Sequence, residues 1–301
     1  MKTEESKAWY HLPGLFEFYG LYKIFLPLFY GHRDWFYDWC EIGSIYGSPS
    51  DCLWGGGRVG FGQNGIEKEV LALCREYSIS ARLTFSNSLI EEKHLADNKC
   101  NRLCSVFSKN PVNGIIVHSE LLLDYIKNKY QDFYFVSSTT KVLSEFSQLK
   151  KELNRSEFKY VVPDFRLNKD FENLFLLDEH QKSKVEFLCN ECCSPNCSAR
   201  KTCYENVSRK NLGIDEENHR CIASENGDGY RFSKAMKSSA FVGIEEIQNI
   251  YLKNGFSQFK IEGRSLGSAI VLEFLLYYLT KPERHLEVRE SIYLDNTLDL
   301  F

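Results

Sequence analysis

The sequence predicts an α/β protein, a (β/α)8 TIM-like barrel with a cysteine-rich metal-binding insertion after its sixth strand. Three observations predict it. Short apolar or β-branched runs alternate with amphipathic runs along the whole chain, the pattern of parallel strands joined by crossover helices. The strand candidates number eight, as a barrel requires. The 301 residues fit one barrel of about 250 residues with added segments, although length alone would also allow about two domains. A doubly wound open sheet is the alternative. No G-x-G-x-x-G follows a first strand, which argues against its dinucleotide-binding form.

The elements follow in order. The polar opening MKTEESKAWYHLPG lacks the basic-then-apolar layout of a secretory signal. Tyr19, Tyr22, Phe25 and Phe29 follow in an aromatic segment that reads as core, with a subunit interface as the alternative. The strand candidates are Trp39–Ile45, Ile79–Phe85, Gly114–His118, Phe133–Ser137, Lys159–Pro163, Val185–Cys189, a poorer run at Tyr230–Lys234, and Gln258–Glu262. Helices are expected at Ile66–Tyr77, Leu121–Tyr130, Val142–Leu153 and Ser268–Leu279, the last strongly apolar. Residues 189–229 break the alternation and are polar and rich in cysteine. The chain is therefore expected to be one barrel domain, 1–301, with the insert 189–229 inside it.

With 43% hydrophobic and 26% charged residues the chain can build a large core, which excludes disorder and collagen-like structure. A net charge of -4 argues against a general nucleic-acid binder. Arg200, Lys201, Arg209 and Lys210 leave a local RNA contact open, though such a run is more often solvated surface. The apolar run Ala269–Leu279 holds Glu273 and is too short to cross about 30 Å of hydrocarbon, so no membrane association is expected. A cytoplasmic location follows as the expectation. The cysteines then read as thiols, metal ligands or catalysts rather than disulfides.

In a barrel the reactive groups belong at the C-terminal strand ends. Those positions carry Tyr46, Asp51, Cys52, Ser86, Asn87, His118, Ser119, Ser138, Thr139, Thr140, Asp164, Arg166, Asn190, Glu191, Glu262 and Arg264. Such residues also cap helices routinely, but the whole set favours a site. His118 is a candidate general acid or base. The run Gly55–Gly56–Gly57–Arg58 lacks a Walker pattern and reads as a flexible first loop. No HExxH or GxSxG motif is present.

Cys189, Cys192, Cys193, Cys197, Cys203 and Cys221 crowd one segment with the spacing C-x2-C-C-x3-C-x5-C and a distant partner. Thiolates suit both iron–sulfur clusters and zinc. A metal is expected here, since exposed thiols without one would be vulnerable to oxidation. Whether Cys203 and Cys221 are ligands or spare thiols stays open at this point.

Several segments together resemble the collagenase-like peptidase family (peptidase family U thirty-two). They are GFSQFKIEGRSLGSAIVLEFLLYYLTKPE, with KIEGR at Lys260–Arg264, then YFVSSTTKVLSEF, KYVVPDFRLNKDF and NECCSPNCSARKTCY. The resemblance spans roughly residues 12 to 280. It implies an α/β barrel and, as in several members, a four-cysteine iron–sulfur cluster (4Fe-4S). Carried over by position, Cys193 and Cys197 match the cysteine segment, and Cys221 matches a later cysteine. Cys203 falls where some relatives have His, and Cys52 where one branch has a ligand. The fourth ligand is thus Cys203 or Cys52, with Cys189 and Cys192 also in reach. The implied activity is oxygen-independent hydroxylation or related redox chemistry on an organic or RNA substrate. Glu262, Arg264 and Arg166 would bind an anionic co-substrate such as prephenate. The alternatives are a peptidase using Glu262 and His118, or a zinc-stabilised binding protein without catalysis. Asp164–Phe165–Arg166 replaces the family's Arg-Glu pair, no Pro follows Cys197, and the C-terminal domain of longer members is lacking. The expectation is therefore a divergent, compact branch.

Overall fold

The computed structural model describes residues 6–57, 62–191, 193–214 and 232–294. Its elements run β1 (Ala8–Pro13), α1 (Tyr19–Gly31), β2 (Cys40–Gly47), α2 (Glu67–Glu76), β3 (Ser80–Phe85), α3 (Asn98–Phe107), β4 (Gly114–Val117) and α4 (Glu120–Lys129). They continue β5 (Tyr134–Ser137), α5 (Phe146–Leu153), β6 (Phe158–Val161), α6 (Phe171–Leu174), α7 (Glu179–Lys184), β7 (Glu186–Leu188), α8 (Arg200–Asn211) and α9 (Phe232–Met236). Last come α10 (Ile244–Glu246), which runs on as a π-helix over Ile247–Tyr251, then β8 (Gln258–Lys260), α11 (Ser268–Leu279) and α12 (His285–Leu294). The strand order is β6-β5-β4-β3-β2-β1-β8-β7. Every paired neighbour is parallel, and a parallel bridge from Val161 to Val185 brings the two ends of the sheet together. The result is a nearly closed TIM-like barrel with helices between its strands.

Seven of the eight expected strands coincide with β2 to β8. The eighth is corrected: Phe232–Lys234 begins a helix, and Tyr230 and Arg231 lie outside the described residues. The missing strand is β1. Its sequence AWYHLP offers no β-branched run, and it places His11 and Pro13 where a strand would show apolar side chains. Its outward residues Ala8, Tyr10 and Leu12 are nonetheless fully buried. The cysteine-rich segment therefore follows the seventh strand, not the sixth. Helices α2, α4 and α11 lie where expected. The expected Val142–Leu153 helix starts late, because Val142 takes a left-handed conformation (φ 53°); a 3-10 turn, Thr139–Lys141, precedes that break and α5 follows it.

Strand alternation sorts the side chains into two populations. One face packs against the helices and forms the main core, in which Tyr22, Phe25 and Phe29 are buried. These aromatics are core, as the sequence suggested. Helix α11 is apolar nearly all round because it is covered on most sides: Val271, Leu272, Phe274, Leu275, Leu276, Tyr278 and Leu279 are all buried. The other face fills the barrel. Tyr46, Ile116, Val136, Val162 and Leu188 converge there from strands that are not all neighbours.

Alongside that small apolar plug lies a buried charged network. Arg82 of β3 donates from Nη1 to Glu186 Oε2 of β7 at 2.6 Å and from Nε to the Tyr134 hydroxyl at 2.7 Å. Its guanidinium lies 4.9 Å from the Tyr160 ring centre. His11 of β1 sits 3.5 Å from the same Glu186 oxygen and bonds Ser44 Oγ at 2.8 Å and Gln258 Oε1 at 3.1 Å. Burial and the Arg82 charge lower the imidazole from 6.5 to about 3, so this contact joins a neutral ring to a carboxylate rather than two ions. Among the described residues, no helix is long and apolar enough to cross a membrane.

Candidate active site at the barrel mouth

The C-terminal strand ends surround a narrow cleft with about 430 Å³ of empty space, its open mouth included. Thr84 and Ser86 line it from β3 and just beyond, and Ser138, Thr139 and Thr140 from the turn after β5. Lys260, Glu262 and Arg264 line it from β8 and the chain that follows, with Tyr46 from β2 and Tyr204 from α8. Thr84 Oγ1 is buried on this wall without a hydrogen-bond partner, a position costly to hold empty of a polar ligand.

Three hydroxyls of the cleft wall form a line. Ser138 Oγ donates to Ser86 Oγ at 3.0 Å, and Thr140 Oγ1 donates to Ser138 Oγ at 2.9 Å. His118 Nδ1 lies 2.8 Å from Thr140 Oγ1. His118 is thus one hydroxyl removed from the cleft wall. Burial, then Lys141 and Lys201, lower it from 6.5 to about 4, so the ring is neutral and can accept a proton at ordinary pH. Ser138 and Ser119 also do the routine work of strand-end hydroxyls, accepting from the backbone of Thr140 and Leu122.

Glu262 is fixed through its backbone: Asn190 donates from Nδ2 to its carbonyl at 2.9 Å and accepts its N–H at 2.7 Å. Arg264 donates to the Gly56 carbonyl from both terminal nitrogens at 3.3 Å. The loop carrying Gly56 can come this close only without a side chain, since a Cβ there would stand 2.5 Å from the Ser86 backbone. Lys260, the last residue of β8, reaches into the barrel interior. Its Nζ lies 3.4 Å from Glu186 Oε1 and 4.0 Å from the Tyr46 ring centre.

Helix α8 is tied across this opening. Asn87 Nδ2 donates to the Ser208 carbonyl and Asn211 Nδ2 to the Gly55 carbonyl. Its first residue, Arg200, is buried and bonds Glu191 Oε2 at 2.9 Å and faces Asp164 Oδ2 at 3.2 Å. Asp164 also holds Arg166, accepting from Nε at 2.5 Å and from the backbone N–H at 3.1 Å. Arg166 was expected to meet an anionic co-substrate. It is instead engaged by Asp164 and does not line the cleft.

The cysteines separate. Burial, Glu191 and, to a lesser degree, nearby Cys197 raise the Cys193 thiol to about 11, and Cys193 N–H donates to Glu191 Oε1 at 3.0 Å. Cys203 is half-buried on α8. Cys192 and Cys221 lie outside the described residues. Cys52 packs in the outer core with its sulfur 3.3 Å from that of Cys100, and buried Cys189 donates to the Phe187 carbonyl at 3.4 Å. Among the described residues no group of three or more His, Cys, Asp or Glu side chains converges as metal ligands would. The described residues therefore do not by themselves make up a four-thiolate cluster.

The sequence singled out Glu262, Arg264 and His118 for this region. It did not single out Lys260, Thr84 or Tyr204 as site residues, and it named the Ser86, Ser138 and Thr140 hydroxyls without linking them.

No family model matches the sequence, and no curated protein matches it. Among solved structures, that of the U32 peptidase Mk0906 superposes with a TM-score of 0.50 at 11% identity, over 88% of this chain and 96% of that one. At such identity the likeness is one of fold. It agrees with the barrel that the sequence motifs implied, and function has to be argued from the site.

Proposed function

We propose that the chain is a barrel enzyme that binds a carboxylate-bearing organic substrate in the mouth cleft and hydrolyses it, with the peptide bond as the first target to test. The observation that carries this reading is the line of hydrogen bonds from Ser86 through Ser138 and Thr140 to neutral His118. Hydrolysis needs a hydroxyl or water that can lose a proton as it attacks a carbonyl carbon. In the resting arrangement the Thr140 and Ser138 hydroxyls point toward Ser86; once each turns about its C–O bond, the same line can carry the Ser86 proton to His118. Lys260 and Arg264 supply positive charge for a substrate carboxylate, and Thr84 offers it a further hydroxyl. The name of the structurally similar U32 peptidase points the same way.

A second reading is the iron–sulfur enzyme of oxygen-independent hydroxylation, acting on an organic or RNA substrate with prephenate or a similar anion as co-substrate. The proximity of Cys193 and Cys197 favours it. Its ligand set would be completed by Cys203 and Cys221, and zinc is the alternative metal.

Purification under oxygen-free conditions, with assays for iron, acid-labile sulfide and zinc, separates the two readings when paired with a peptide-hydrolysis screen. Under the hydrolytic reading Thr140→Val, which cuts the line without touching the cleft's charges, lowers kcat about 10²-fold and leaves KM nearly unchanged. Unchanged kcat in that variant would remove the line from the mechanism. Stoichiometric iron and sulfide without hydrolysis would move the assignment to the second reading.

A further inference from the structure

Lys260 is set apart by where it sits. It is 5% exposed, it lines the cleft, and its amine reaches Glu186 inside the barrel. The obvious structural role for a buried lysine is to balance a buried carboxylate, but Arg82 already fills that role for Glu186 with a 2.6 Å bond. The Lys260 amine stands 3.4 Å from the other Glu186 oxygen, which has no hydrogen-bond partner of good geometry. Its other neighbour is the Tyr46 ring face at 4.0 Å. An ammonium in this place gives up water, and the Glu186 carboxylate and Tyr46 ring that favour it are opposed by the nearby Arg82 and Arg264 charges.

We propose that Lys260 is a nucleophilic amine that captures a small carbonyl compound bearing a carboxylate, a 2-oxo acid or an aldehyde acid, as a Schiff base in the mouth cleft. The free amine attacks the carbonyl carbon, and the C=O π pair moves to oxygen, which takes up a proton. The resulting carbinolamine loses its hydroxyl as water while the nitrogen lone pair forms C=N, and the nitrogen sheds its proton. One amine and one carbonyl give one imine and one water, with no oxidant or reductant. Glu262 lines the same cleft two residues further along the chain, just past the end of β8, and can carry the proton to the departing hydroxyl. The Arg264 guanidinium, also on this wall, pairs with the ligand's carboxylate.

The groups around the amine set its titration. Burial depresses it first, Arg82 from β3 and Arg264 from beyond β8 push the same way, and Glu186 from β7 opposes them. The balance lowers it from 10.5 to about 8. His11 from β1 is neutral, and Tyr46 from β2 gives its hydroxyl to the Ile261 carbonyl. A free amine at mildly alkaline pH is the activated form of a carbonyl-capturing lysine.

The inference rests on the cleft being where substrate binds, and not on the reaction there being hydrolysis. The test uses the full chain with glyoxylate or pyruvate as probe and cyanoborohydride to reduce any imine to a stable secondary amine. Peptide mass mapping then locates the adduct. The expected result is labelling of Lys260 ahead of the well-exposed Lys93, with a yield at Lys260 that rises to half its maximum near pH 8. Lys260→Arg loses that adduct while its melting temperature shows that it folds. Label confined to surface lysines, or a Lys260 yield that climbs only near the ordinary lysine range, overturns the inference. Persisting peptide hydrolysis in that case would leave the function proposed above standing, and its absence alongside clean Lys260 labelling would do the reverse.

Discussion

Arg82→Met is expected to destabilise the protein by about 3–5 kcal/mol, the usual penalty for stranding one member of a buried ion pair. Glu186 is fully buried inside the barrel. Burial alone would raise its carboxyl. The charges of Arg82 and Lys260 and the neighbouring His11 more than offset this and hold it at about 2, so it is ionised at all ordinary pH values. Removing Arg82 takes away the shortest contact to that carboxylate, the bond to the Tyr134 hydroxyl and the guanidinium that packs on Tyr160. Methionine fills much of the space but supplies no donor. Pairing the change with Glu186→Leu should recover most of the loss, because a missing pair costs far less than half of one. Guanidinium-induced unfolding of both variants measures this. A loss under about 1 kcal/mol in the single variant would mean that water or a rearranged Lys260 already supports Glu186.

Stability is expected to drop steadily as the pH is lowered from about 6.5, well before most carboxylates titrate. The sign follows from the depressed histidines. His11 stays neutral in the fold down to about 3 and His118 down to about 4, whereas both take a proton near 6.5 once unfolded. The unfolded chain thus binds more protons throughout that window, and the fold is fully favoured only above it. The stability at stake is on the order of 4 kcal/mol for His11 if the window is crossed entirely, and less for His118. Below about 4.5 the depressed Glu186 adds to the loss for the same reason. Melting temperatures between pH 8 and 4 test this, with His11→Gln expected to flatten the upper part of the curve. A level profile in the wild-type protein from pH 6.5 to 4.5 would contradict it.

The barrel was legible because strands β2 to β8 each carry a short apolar run between polar boundaries, and that pattern is local. Strand β1 was not, since AWYHLP shows its strand character only in Ala8, Tyr10 and Leu12, between a tryptophan, a histidine and a proline. The run at Tyr230–Lys234 misled because a few residues of mixed polarity suit a helix start as well as a strand. The charged interior was invisible for a sharper reason. Arg82, Glu186 and Lys260 are charged residues scattered along the chain, and only the closed barrel brings together positions as distant as 82 and 186. The cleft was half legible. Glu262, Arg264 and His118 stood out by their place at strand ends, but Ser86 lies in a different loop from Ser138 and Thr140, and the spacing between the two loops along the chain has no pattern. The Asp164–Arg166 pairing was not legible either, because it depends on the local turn that starts at Asp164.

The cylinder has a seam. Strands β6 and β7 touch through the single Val161–Val185 bridge, while β1 and β2 pair along six residues. What sews the two edges together lies outside the sheet: the Lys184 ammonium, at the end of α7, donates to the carbonyls of Leu153 and Arg155 at the end of α5, at 2.6 and 2.7 Å. When the wall breathes, it should part here first, exposing the amide hydrogens of these edges to exchange while those of β1 and β2 stay sealed.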